Sequence, residues 1–154
     1  MTTSSAVYDE RLSVPLRWWV QGVMFVATVW LAMVVAMPGS WAWSLTAAIL
    51  ALLALAFVAY GSARIVIADG RLQAGRARID AAYLGRAEPL DPEATRRTAG
   101  VDADARAYLL LRPYLKRAVR IEIVDPADPT PYWLVSTRHP DGLAAALTEL
   151  TSRR

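Results

Sequence analysis

The chain has 154 residues, 55% of them apolar, with 17 basic and 14 acidic side chains and no cysteine. From Trp18 to Ala63 there are 46 residues without Asp, Glu, Lys, Arg or His, a run that excludes an ordinary freely soluble domain. The absent cysteines exclude disulfide staples, thiolate zinc sites and a cysteine nucleophile, and a net charge of +3 diluted by acidic residues argues against nucleic acid as a partner.

Residues 1–17 form an N-terminal segment in which Asp9 and Glu10 balance Arg11 and Arg17. The apolar block then divides at Pro38-Gly39-Ser40. Trp18–Met37 and Trp41–Tyr60 are 20 residues each, and a helix of that length rises about 30 Å, the thickness of the hydrocarbon core. This predicts a two-span transmembrane hairpin over 18–62 with its turn at 38–40. Trp18, Trp19, Trp41, Trp43 and Tyr60 stand near the span ends as interface anchors, since their rings suit the headgroup level. Arg11 and Arg17 precede the spans, Arg64, Arg71, Arg76 and Arg78 follow them, and the turn carries no charge. The positive-inside rule therefore predicts both termini in the cytoplasm. A cleaved signal peptide does not fit, because a second span follows at once. Small residues at four-residue spacing, Thr28-Ala32-Ala36 and Ala47-Ala51 with Ala54, predict the faces on which the helices pack. Gln21 is the one strongly polar side chain inside a span, so the spans offer no proton relay.

Residues 63–154 read as a β-rich domain. Arg64–Ala68 and Arg71–Gly75 flank the turn pair Asp69-Gly70 as a hairpin. Ile79–Leu84 suits a short strand or turn, and the polar stretch Leu90–Ala105 reads as an exposed loop. Ala107–Arg112 predicts a buried strand. In Ala118–Val124, Val119, Ile121 and Ile123 alternate with Arg120 and Glu122, the pattern of a half-buried strand. Asp125–Thr130, with two prolines, is a turn; Tyr132–Ser136 is another strand. Leu143, Ala146, Leu147 and Leu150 give a closing helix over about 140–151. The expected fold class is a membrane α-helical hairpin plus a small antiparallel barrel or sandwich closed by a C-terminal helix.

Tyr8-Asp9-Glu10-Arg11-Leu12, Pro15, Trp18-Trp19, Asp69-Gly70-Arg71-Leu72, Ala87-Glu88-Pro89-Leu90-Asp91, Leu111-Arg112-Pro113-Tyr114 and Pro131 to Pro140 together resemble the small actinobacterial membrane proteins grouped as a domain of unknown function, family 3093. The resemblance covers almost the whole chain. It implies a bacterial inner (plasma) membrane location and no assigned chemistry. The strand-rich tail with its closing helix is also similar, in organisation, to pleckstrin-homology-like domains. The Arg-rich, Lys-poor usage is compatible with a GC-rich actinobacterium.

Arg112, Lys116, Arg117 and Arg120 are the candidates for binding an anionic phospholipid headgroup or a partner, because Arg offers a donor fork and Lys a point charge to phosphate; a solvated rim is the plain alternative. Arg64, Arg71, Arg76 and Arg78 suit contact with the inner leaflet. His139 is the single histidine, three residues from Ser136, without the glycine-flanked elbow of a serine nucleophile. Asp125 with Asp128, and Asp102 with Asp104, lack a calcium-loop or metal-ligand pattern. No catalytic residue, metal or cofactor is expected. The expected function is an inner-leaflet module that contacts lipid or another protein, with the bilayer, anionic phospholipid, a membrane-protein partner or a second copy as partners. A structural subunit of a larger complex, and a membrane-interface enzyme or small channel subunit, are the other readings.

Overall fold

The computed structural model describes residues 7–37 and 39–152. Pro38, within the expected turn, lies outside the described residues, while Gly39 and Ser40 open the second helix. The described chain up to Leu12, together with the chain from Ala63 onward, forms one compact unit, and Ser13–Ser62 forms another.

The second unit is a pair of helices, α1 (Leu16–Ala36) and α2 (Gly39–Tyr60), each long and apolar enough to cross a membrane. They meet along Trp19 on Phe57, Gly22 on Leu53 and Trp30 on Trp43, with ring centroids 5.0 Å and 5.1 Å apart in the two aromatic pairs. A Cβ on Gly22 would lie 2.8 Å from the Leu53 side chain, so this glycine permits the approach. The packing seam therefore differs from the expected one: Thr28, Ala32, Ala36, Ala47 and Ala51 are exposed, and Val26, Ala42 and Thr46 are buried. Trp19, Gly22, Val26 and Trp30 recur at three- and four-residue steps on one side of α1. The rings bury more surface than an alanine stripe, and the glycine supplies the clearance. The hydroxyls of Thr28, Ser44 and Thr46 bond the carbonyls four residues back, which satisfies them without water.

The other unit opens with β1 (Tyr8–Arg11), a strand not expected from the sequence. It pairs antiparallel with β2 (Arg64–Ala68), which pairs with β3 (Arg71–Ala74) and then β4 (Ala77–Asp80). Asp69 and Gly70, both at positive φ, make the β2–β3 turn. A 3-10 turn, Ala81–Tyr83, leads to β5 (Leu84–Leu90), whose sheet has the order β5-β7-β8-β6. There β7 (Ala118–Ile123) runs antiparallel to both neighbours, while β6 (Tyr108–Leu110) is parallel to β8 (Tyr132–Ser136).

These sheets do not close into a barrel. Closure needs a continuous ladder, and the ladder breaks where β4 hands over to β5 through the 3-10 turn. Instead the two sheets share one core, in which Ile65, Ile67 and Leu72 meet Val119, Ile121, Trp133 and Val135. Helix α4 (Pro140–Ser152) adds Leu143, Ala144 and Leu147 to it. On the other face of the second sheet Tyr132 and Leu134 pack with Leu90, Ala118 and the alanines Ala94 and Ala99. Strand β8 is thus covered on both faces, which is why Tyr132–Val135 is an unbroken apolar run. The covering piece is α3 (Pro92–Ala99), in the stretch expected to be a loop. Asp91 caps it by accepting the Ala94 N–H at 2.7 Å, and Pro92 sits at its first turn.

Candidate functional site

Strand β1 alternates. Tyr8, Glu10 and Leu12 turn inward in register with Ile67 and Ile65, whereas Asp9 and Arg11 turn outward opposite Val66 and Arg64. Leu12 is fully buried in the main core, and its N–H donates to Ala63 O at 2.9 Å as the last rung before the chain departs for α1. Glu10 is only 8% exposed. A carboxylate at such a depth costs several kcal/mol unless donors replace its water.

Three donors do so. The Tyr8 hydroxyl donates to Glu10 Oε2 at 2.7 Å, the Arg138 N–H donates to Oε1 at 2.8 Å, and the buried Thr137 hydroxyl donates to Oε2. The Arg138 guanidinium stands 4.0 Å from Oε1 and donates to Arg11 O at 2.9 Å. Thr137 Oγ1 in turn accepts the His139 N–H at 3.0 Å, and the Thr137 N–H reaches Arg117 O at 3.1 Å. Beside it the buried Ser136 hydroxyl accepts the Arg112 N–H at 3.1 Å, and the Tyr114 hydroxyl donates to Leu12 O at 2.6 Å. Three segments far apart in sequence, Tyr8–Leu12, Arg112–Arg117 and Ser136–His139, are thereby tied together. With these donors the carboxylate acts as a clamp, holding β1 to the connection between β8 and α4.

Burial, reinforced by the neighbouring Glu10, pushes the Tyr8 phenol up to about 12 against an ordinary value of 10.0, with the Thr137 hydrogen bond opposing. Its neutral form is thus favoured by folding, so its stabilisation is whole below pH 10 and is lost as pH rises from there through about 12. In an ultraviolet titration of the folded protein, Tyr8→Phe should remove absorbance amplitude near pH 12; a loss of amplitude confined to pH 10 would refute the buried phenol.

The basic side chains fall into separate places. Arg11 lies opposite Arg64, and Gly75 N–H donates to Arg64 O at 2.8 Å, bringing the neighbouring Arg76 to the same end of the sheet. That is the end where the chain leaves after Leu12 and returns at Ala63. Arg71 is at the opposite end, ion-paired to Asp80 at 2.8 Å, and Arg78 lies between, opposite Gln73. Arg17 belongs to the first turn of α1. Lys116 and Arg117 are exposed on the β6–β7 connection, and Arg112 on the same connection is half-buried. Arg120 stands apart from them on β7, its guanidinium 4.6 Å from the centre of the Tyr132 ring.

Of the aromatic residues expected as interface anchors, Trp41 and Trp43 are exposed, Trp18 and Trp19 half-buried, and Tyr60 exposed at the end of α2. An apolar cleft of about 490 Å³ is lined by Met37, Trp41, Ser44, Leu45 and Ala48, a lining suited to hydrocarbon and bearing one hydroxyl. Among the described residues no three His, Asp or Glu side chains converge as a metal site would require.

Residues 7–147 match the family described as a protein of unknown function, DUF3093. No curated protein matches the chain, and neither does any solved structure.

Proposed function

We propose a role for this chain, which belongs to the DUF3093 family of proteins of unknown function: a two-span protein of a bacterial inner membrane that carries a β-rich domain at the inner leaflet, where the domain contacts lipid or a membrane-protein partner. The observation that carries this reading is the pairing of β1 with β2. These strands flank the two apolar helices, and a backbone ladder cannot form across a bilayer. An out-and-back passage returns the chain to the side it left, as the ladder demands.

Other features support it. A Cβ on Gly61 would stand 3.0 Å from the Val14 backbone N, so the two ends of the helical pair run close together. Only 6% of each apolar window is buried, which favours lipid around the helices over a soluble core. Arg11, Arg17, Arg64 and Arg76 all flank the helices, the excess expected on a cytoplasmic side. We also read the domain as pleckstrin-homology-like, on two sheets around one core with a C-terminal helix, and its source as actinobacterial, on its arginine-rich usage.

The chain lacks cysteine, so a single introduced thiol reports without background. In intact cells, Ser40→Cys should react with a membrane-impermeant maleimide, and Ala127→Cys should react only after permeabilisation. The reverse pattern, or reaction of both in intact cells, would refute the orientation.

A further inference from the structure

We propose that Arg11, Arg64 and Arg76, supplemented by Lys116 and Arg117, form a rim that binds the phosphate of anionic phospholipid headgroups. This deepens the preceding reading and rests on it for the choice of a lipid source. The rim is assembled by backbone contacts. Arg11 and Arg64 are directly opposed in the ladder, and the Gly75 N–H on Arg64 O fixes the turn bearing Arg76 beside them. The connection carrying Lys116 and Arg117 is held to the same end by Tyr114 on Leu12 O and by Thr137 N–H on Arg117 O.

Two independent features point to phosphate. First, these five side chains are exposed, and none has an ion-pair partner among the described residues. Arg71 with Asp80, Arg97 with Asp102 and Arg106 with Asp104 are so engaged elsewhere in the domain, whereas Arg78, Arg86 and Arg96 share the lack of a partner but not the position. What sets the rim apart is five such cations held at one end. The acidic side chain nearest in sequence, Glu10, is turned inward and occupied by Tyr8, Thr137 and Arg138. Directly opposed like charges such as Arg11 and Arg64 weaken a sheet, and an anion laid across them turns that repulsion into a shared site.

Second, chain length tethers the rim. Arg11 is five residues before Leu16, and Arg64 four residues after Tyr60. An extended chain then holds them within roughly 17 Å and 14 Å of the apolar helices, whatever the attitude of the domain. Headgroups extend about 5–7 Å beyond the hydrocarbon core, so even at full stretch these arginines stay within roughly one screening length, about 10 Å, of the phosphates. Each such side chain contributes about fivefold in affinity for an anionic surface, and arginine adds two-pronged donation to phosphate oxygens.

The test is native mass spectrometry of the full chain in mild detergent, offered equal amounts of phosphatidylglycerol and phosphatidylcholine. The wild type should retain phosphatidylglycerol in preference by at least about tenfold. Joint replacement of Arg11, Arg64 and Arg76 by Gln should bring the two lipids to within about twofold, with Lys116→Gln/Arg117→Gln giving a partial loss. Joint replacement of Arg86, Arg96 and Arg97 by Gln, exposed arginines outside the rim, removes the same charge and should leave the preference intact. No preference in the wild type, or an equal loss in that control, overturns the site. Displacement of phosphatidylglycerol by millimolar inorganic phosphate overturns the lipid source in favour of a soluble ligand. Because selectivity is read in detergent, it is separable from orientation: reversed cysteine labelling with intact selectivity would sink the inner-leaflet reading alone.

Discussion

Replacing Glu10 by Ala is expected to destabilise the β-rich domain by about 3 kcal/mol, one of the largest effects of any single substitution in it. The reason lies in what remains after the carboxylate is gone. The Thr137 hydroxyl and the Arg138 N–H would both lose their acceptor, and the Tyr8 hydroxyl would keep only its 3.4 Å neighbour, Thr137 Oγ1. Unmatched buried donors cost more than the bonds they made were worth. Glu10→Gln should cost less, about 1–2 kcal/mol, since its carbonyl still accepts while its amide meets donors. Trp133 is the single tryptophan of this unit and is buried in the core, so its fluorescence follows melting. For a domain of this size the Ala variant should melt roughly 10–20 °C lower. A loss below about 0.5 kcal/mol would mean that the clamp contributes nothing to stability.

A chain beginning at Ser13 should fail to form the domain while still inserting its helices. It lacks Leu12, a core side chain with no exposed surface, whose truncation alone costs about 2–5 kcal/mol. It also lacks Glu10 and leaves the whole length of β2 as an open edge. Together these losses rival the 5–15 kcal/mol that a domain of this kind has in reserve. Trypsin should then cut at Arg71, Arg78 and Arg86, which sit in or beside ladders, and membrane fractionation should show the helices still embedded. Protection of those arginines equal to that of the full chain would show that β1 is dispensable.

How much of this was legible in the residues depends on how local each signal is. The apolar helices follow from an uncharged run, β2 and β3 from the residues flanking the Asp69-Gly70 turn, β7 from alternation, and β8 from an unbroken apolar run after the Asp125–Thr130 turn. Helix α3 is also written locally, in Asp91, Pro92, Glu93 and Gly100, but its polar composition resembles that of a loop. The parallel pairing of β6 with β8, and the break after β4 that prevents a barrel, depend on partners that no periodicity announces. The least visible feature was Glu10. Tyr8, Glu10 and Leu12 do alternate, yet a charged residue in an edge strand reads as solvent-facing until its partners, Thr137 and Arg138, are brought 127 and 128 positions along the chain to meet it. In the sequence Arg11 and Arg64 are only charges on the two flanks of the apolar run, whereas the ladder sets them side by side.

The clamp also has a consequence for the order of events during synthesis. Strand β1 leaves the ribosome before its ladder partner, which follows only after both helices, and the hydroxyl and amide that bind Glu10 come later still. For that interval it is an unpaired strand, the kind of segment that seeds aggregation. Three of its four residues, Asp9, Glu10 and Arg11, are charged, so it is a poor template for a wrong neighbour while it waits. The same glutamate that guards the nascent strand becomes, once Thr137 and Arg138 arrive, the group that locks it in place.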